Sequence, residues 1–296
     1  MSLARILLAS GALARLASAI DLTDPLDGCP PAARSIATHE SVFNSTGETS
    51  FRLSNQSSSS SASDWYLALA FRDERAQNAL YGLSPNRQTL GVIVSVPESV
   101  PGSAAGAQTG LCVYRLEQQD AAANAQASCA GVLSAACIAA LESVPAASDG
   151  SCPVPDVSGA CGGAKVVGST TTPLVFNNTL CSTNATIPDS DAIPDGYQSY
   201  VTFASGELNK TDDSRTSYTV YNEHIQRPAP ILITARFGAG QANATTQAKL
   251  FCLAPSKVLQ GSRGAVVSTG GAAGTAALAK PVLLVSLLAS ILAMAL

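Results

Sequence analysis

The chain has 296 residues, with 17 Lys plus Arg against 21 Asp plus Glu and only 5% aromatic residues. A net charge of −4 with no basic run leaves no electrostatic footprint for a nucleic acid, and that class of partner is set aside. The eight cysteines, with no C-x-x-C pair and two distant histidines, read as a disulfide set rather than a zinc site.

Taken in chain order, MSLARILLASGALARLASA places Arg5 ahead of an apolar stretch and closes on the small-x-small site Ala17-Ser18-Ala19. That is the layout of a secretory signal peptide over residues 1–19, with Ile20 as the first mature residue, although Arg15 is atypical inside such a run. Passage through an oxidising compartment makes four disulfides the expectation for Cys29, Cys112, Cys129, Cys137, Cys152, Cys161, Cys181 and Cys252. Their spacing does not choose among about 105 connectivities.

An ectodomain is expected over residues 20–255. Asp21 to Ser63 reads as loop and edge, with the serine run Ser57 to Ser61 a plausible O-glycan acceptor. Strand signals follow in DWYLALAF, QTLGVIVSVP and GLCVYRL. Residues 126–163 are rich in Ala, Ser, Gly and Cys and predict a disulfide-tied helical insert, in which Ser134 caps a short helix ending before Pro145. One unbroken helix would hold Cys129 and Cys137 about 12 Å apart, beyond bridging distance, so each needs another partner such as Cys112, Cys152 or Cys161. Strands return in KVVGSTTTPLVF, QSYVTFASG, TSYTVYNEHI, APILITARFG and QAKLFCLAP. Alternation is clearest in Ser217 to Tyr221 and Ile231 to Arg236. About eight short strands predict a mainly β fold, an antiparallel β-sandwich-like ectodomain carrying the helical insert.

Residues 256–270 show no period and read as a flexible stalk. Beyond it, the small residues Gly270, Gly271 and Ala272 are followed by a spacer to Lys280 and the uncharged run Pro281 to Leu296. This matches a glycosylphosphatidylinositol (GPI) attachment signal, with Gly270 as the acceptor, Gly271 and Ser268 as alternatives, and residues 271–296 removed. Small residues are needed there because the lipid amine must reach the attachment carbonyl. Processing takes away Arg5, Arg15 and Lys280 but no acid, leaving 14 basic against 21 acidic residues and a balance of −7.

Six sequons, at Asn44, Asn55, Asn177, Asn184, Asn209 and Asn243, fit the same compartment and are candidate N-glycosylation sites. Catalytic motifs are missing: there is no G-x-S-x-G, H-E-x-x-H or P-loop, and the GAG at Gly238 lacks the third glycine of a dinucleotide loop. YNEHIQRP places Asn222, Glu223, His224 and Arg227 at an expected strand end, which suggests a glycosidase acid/base position with Glu207 as the opposed carboxylate. The plainer reading is a solvated strand end. Asp189 to Gly196 resembles a calcium loop, but its third acid comes two residues late, so no cofactor is expected and calcium is the alternative. His39 and His224 read as surface side chains without a metal partner.

In plan, with a signal peptide, cysteine-bridged ectodomain, serine-rich segment, small-residue attachment site and hydrophobic tail, the chain resembles the GPI-anchored surface glycoproteins of filamentous fungi. The resemblance covers the ends and the general plan, without a catalytic motif. It implies residence at the plasma membrane or cell wall and a structural, adhesive or interaction role. The cysteines spread over more than 220 residues and do not match the compact eight-cysteine haem-binding module of such proteins. The expected partners are the membrane, through the lipid, and cell-wall polysaccharide or another surface protein. The alternatives are a glucan-modifying or carbohydrate-binding protein using Glu207 and Glu223, and a calcium-dependent adhesin using residues 189–196.

Overall fold

A computed structural model of the chain describes residues 43–53, 64–73, 88–119, 128–146, 150–176, 182–183, 193–204 and 218–266. Among them are eleven strands: β1 Ser45–Phe51, β2 Trp65–Asp73, β3 Gln88–Pro97, β4 Gly110–Leu116, β5 Val166–Ser169, β6 Leu174–Val175, β7 Ser182–Thr183, β8 Tyr197–Ala204, β9 Ala229–Phe237, β10 Thr245–Leu253 and β11 Lys257–Val258. Three short helices accompany them: α1 Ala104–Ala107, α2 Ala135–Glu142 and α3 Thr219–Gln226. The protein is thus mainly β, as its strand-and-turn pattern predicts.

The strands form two antiparallel sheets. The first runs β11-β1-β2-β3-β8-β7, and the second runs β10-β9-β4-β5 with β6 also paired to β4. Alternation along the strands decides which side chains meet, because successive residues point to opposite faces. Trp65, Leu67, Leu69 and Phe71 of β2 and Leu90, Val92, Val94 and Val96 of β3 join one buried cluster. Leu111 and Val113 of β4, Ile231, Ile233 and Ala235 of β9, and Phe251 and Leu253 of β10 belong to the same cluster, so it draws on both sheets. An aromatic chain runs through it: Phe251 lies 5.1 Å from Phe51, Phe51 6.1 Å from Trp65, Trp65 5.4 Å from Phe176 and Phe176 5.1 Å from Tyr200. Such tilted and edge-on contacts contribute roughly 0.5–1.5 kcal/mol each beyond their buried area.

The alternate residues of β4 explain why its sequence is apolar almost throughout. Cys112, Tyr114 and Leu116 form a second cluster with Leu232 of β9 and with Cys137, Leu141, Cys152 and Val157 of the segment after β4. The second sheet is therefore covered on two faces. Ser134 accepts a hydrogen bond from the Cys137 amide at 3.2 Å and starts α2, the short capped helix expected from the sequence. Two bridges hold this insert, Cys112–Cys152 and Cys137–Cys161, and a third, Cys129–Cys252, fastens it to β10. Cys129 thus reaches outside the insert for its partner. Cys29 and Cys181 lie outside the described residues.

Three segments differ from expectation. TSYTVYNEHI is expected as a strand but contains α3, with Tyr221 and Ile225 buried and Tyr218 partly buried against the core. That spacing of three and four is a helical face, and it wins over the short alternation of Ser217 to Tyr221. The turn stops where Arg227, before Pro228, becomes extended. Residues 45–51, expected within loop and edge, form β1, which pairs with β2 from Ser45↔Phe71 to Phe51↔Trp65.

The stalk expected from residue 256 begins later. Lys257 and Val258 pair with Thr46 and Ser45, and Leu259 is buried. Tyr221 donates its hydroxyl hydrogen to the Arg263 carbonyl at 2.5 Å, and the Arg263 guanidinium lies 4.0 Å from the centre of the Tyr218 ring. The first of two compact units ends at Ala265. The signal peptide, the attachment residues 268–272 and the hydrophobic tail lie outside the described residues.

Candidate functional site

Glu223 and His224 sit inside α3 rather than at a strand end. Glu223 Oε2 is 3.3 Å from Arg227 Nη1 one helical turn on, and both side chains are partly exposed. A solvated pair of this kind contributes about 0.2–1 kcal/mol. His224 Nδ1 meets Gln118 Oε1, and Gln118 Nε2 donates to the carbonyls of His224 at 3.0 Å and Arg227 at 2.8 Å. The glutamine satisfies carbonyls that the end of a helix leaves open. These residues close a helix terminus, and Asn222 lies in the same helix. Glu207 lies outside the described residues, as do His39, Asp189 and Asp191. Asp195 and Gly196 are described, and the Gly196 carbonyl accepts from the Glu98 amide at 2.9 Å. No group of three or more potential metal-ligating side chains occurs among the described residues.

The two described sequons occupy opposite settings. Asn243 is exposed in the turn between β9 and β10, and Thr245 is exposed beside it. Asn44 is woven into the fold: its Oδ1 accepts from the Asp73 amide at 2.5 Å, and its Nδ2, the atom a glycan would modify, donates to Ser262 Oγ at 3.4 Å. Its own amide donates to the Phe71 carbonyl at 2.8 Å and its carbonyl accepts from Leu259 at 3.0 Å, while Thr46, the hydroxyl residue of the sequon, is fully buried. Asn55, Asn177, Asn184 and Asn209 lie outside the described residues.

Two cations escape notice in sequence. Arg115 is 4% exposed on the same side of β4 as Leu111 and Val113, and its Nε has no hydrogen-bond partner. Burial pushes its pKa down to about 10, against the opposing pull of the Glu117 charge. A charged residue inside GLCVYRL is the sequence signal that marks it.

Arg236 borders an open cavity of about 440 Å³ on the outer side of the second sheet. Its floor includes Cys112 and Thr234, both buried, and its sides include Gln108, Pro173, Val175 and Ala239. The Thr234 hydroxyl has no hydrogen bond of normal geometry, although it lies near enough to the Tyr114 phenol to offset part of the upward push that burial gives that group. The walls are held from both ends. The Cys112–Cys152 bridge ties the strand to the insert, and the Ala239 amide donates to the Gln108 carbonyl at 3.1 Å. No family model, curated protein or solved structure matches the chain. No helix among the described residues is long and apolar enough to cross a membrane.

Proposed function

We propose that the protein is a secreted, N-glycosylated surface protein, held at the outer face of the plasma membrane by a GPI lipid or passed on to the cell wall, with a structural, adhesive or interaction role. The observation that carries the proposal is the bridging of Cys112, Cys129, Cys137, Cys152, Cys161 and Cys252 in three pairs within one fold. Such a set persists in an oxidising compartment, and the sequons and small-residue attachment site are read from the sequence in the same sense. The cluster shared by both sheets supports, more finely, a β-sandwich whose second sheet carries the helical insert on its outer side.

The role is proposed as non-enzymatic. The glucan-modifying alternative with Glu207 and Glu223 starts from a carboxylate at a strand end, whereas Glu223 lies on α3 in an ion pair with Arg227. The test of compartment is a tagged chain in a eukaryotic secretory host, followed by surface biotinylation and by endoglycosidase treatment. Labelling of intact cells together with a glycosidase-dependent mobility shift is expected. A cytosolic, unshifted chain with reducible thiols would overturn the reading.

A further inference from the structure

We propose that residues 29–43 cross the outer face of the first sheet and are stapled at its far edge by a fourth disulfide, Cys29–Cys181. The proposal rests on the oxidising compartment inferred above. In it the eight cysteines pair evenly, and the three bridges take Cys112, Cys129, Cys137, Cys152, Cys161 and Cys252. Cys29 and Cys181 are left for each other. All three bridges serve the second sheet and its insert, which leaves the first sheet for the fourth.

Burial on the first sheet marks the path. Leu67, Leu69 and Phe71 of β2 turn towards the second sheet, so Ala68 and Ala70 between them face away from it. Cross-strand pairing carries this outer face along two rows, Thr46, Ala70 and Gly91 in one and Glu48, Ala68, Ile93 and Val201 in the next. Thr46 and Ala70 are 0% exposed, Ala68, Ile93 and Val201 are 1% exposed, and Gly91 is buried. An isoleucine on an open sheet face would be wetted from above, so this band is covered. Among the described elements, the second sheet and α3 pack on the inner cluster, and the insert lies on the second sheet. In the row beyond, Tyr66 and Ser199 are only half-buried and Ser50 is exposed, which gives the band an edge. A narrow band running across the strands from β1 to β8 is the footprint of a crossing segment.

The ends of the band meet the two cysteines. The chain enters β1 from the buried Phe43, beside Thr46. On the far side β7 pairs Ser182 with Tyr200, and continuing that register by one residue sets Cys181 beside Val201, at the end of the second row. The order β1-β2-β3-β8-β7 puts the two edges roughly 19 Å apart at about 4.8 Å per strand. Residues 29–43 span about 21 Å even at the rise of a helix, and more when extended. They supply Ala32, Ala33, Ile36, Ala37 and Val42 to lie on the band, whereas residues 205–217 contain a single large apolar residue, Leu208. The crossing keeps an apolar face of a secreted protein from water, and the staple secures the sheet at its short edge strand β7.

The staple is tested by mass-spectrometric peptide mapping of the chain purified from a eukaryotic secretory host, with free thiols blocked and the digest left unreduced. A linked peptide pair containing Cys29 and Cys181 is expected beside the other three bridges. Blocked thiols at Cys29 and Cys181, or a different partner for either, with the other six cysteines bridged, would overturn the proposal and leave the compartment standing. Eight blocked thiols would overturn both. The crossing is tested by photo-crosslinking from p-benzoylphenylalanine placed at Tyr66 or at Thr89, which flank the band on its two sides. Adducts on residues 30–42 of the same chain are expected. Adducts confined to residues 74–87, to residues 205–217 or to a second copy would overturn it.

Discussion

Cys129 is bridged to Cys252 with Cα atoms 5.0 Å apart across 123 residues of sequence. This bond joins the start of the insert to β10, whereas the other two close only 40 and 24 residues. A longer closed loop removes more freedom from the unfolded chain, so the long bridge should matter most. The double variant Cys129→Ser/Cys252→Ser should lose about 2–5 kcal/mol, more than Cys137→Ser/Cys161→Ser, in denaturant unfolding under non-reducing conditions. Equal losses would show that loop length does not govern the contribution.

The two described sequons should behave differently. Asn44 spends both side-chain atoms on Asp73 and Ser262, so a glycan on Nδ2 would break the junction between β1, β2 and the segment after β11. Asn243 has no such role in its exposed turn. Glycopeptide mass spectrometry should find Asn243 occupied and Asn44 bare. Asn44→Gln should destabilise the fold by about 1–3 kcal/mol without changing the glycan mass, as expected for groups left unpaired at a partly buried junction. A mass loss in Asn44→Gln at constant stability would contradict this.

Gly47 is required by a close approach rather than by a turn. A Cβ there would lie 2.2 Å from the Ala254 carbonyl oxygen and 2.9 Å from its carbon, both backbone atoms that cannot swing aside. Gly47→Ala should cost about 1–3 kcal/mol or more through overpacking. At Gly159 an added Cβ meets nothing within 4 Å, and Gly159→Ala should be neutral or stabilising by a few tenths of a kcal/mol. Thermal melts of the two variants side by side check the contrast.

Arg115 illustrates a charge that the fold tolerates. Its Nε lacks a partner and burial pushes its pKa down to about 10 in spite of the Glu117 charge, so the folded state bears a desolvation cost that is only partly offset. Arg115→Met keeps most of the buried volume and removes that cost. The variant should be as stable as the parent or more so, by about 0–2 kcal/mol. A loss of more than about 1 kcal/mol would mean that the guanidinium is a structural anchor.

The sequence reveals the strands whose apolar residues carry their own signal. β2, β3, β4, β9 and β10 fall where Val, Ile, Leu and aromatic residues cluster between turn residues, and Ser134 marks α2 directly. β1 is hidden because STGETSF is polar, and its place comes from pairing with β2 along all seven residues, which no local pattern contains. α3 is misread because five alternating residues resemble a strand until Ile225 completes the helical face. The docked segment after Pro255 depends on distant partners in β1 and α3. The cavity is equally silent in sequence, since small residues far apart in the chain, from Ala107 to Gly240, make the space by what they lack.

The central claim is anchorage of this fold outside the cell, and phospholipase release tests it most directly. Intact cells expressing a chain tagged within the ectodomain are treated with phosphatidylinositol-specific phospholipase C, beside a variant in which Gly270, Gly271 and Ala272 carry bulky replacements. The account predicts release of the glycoprotein from the parent cells, together with failure of the variant to acquire the releasable form. A chain that stays on the membrane with Leu296 still attached, whatever occupies positions 270–272, would contradict it.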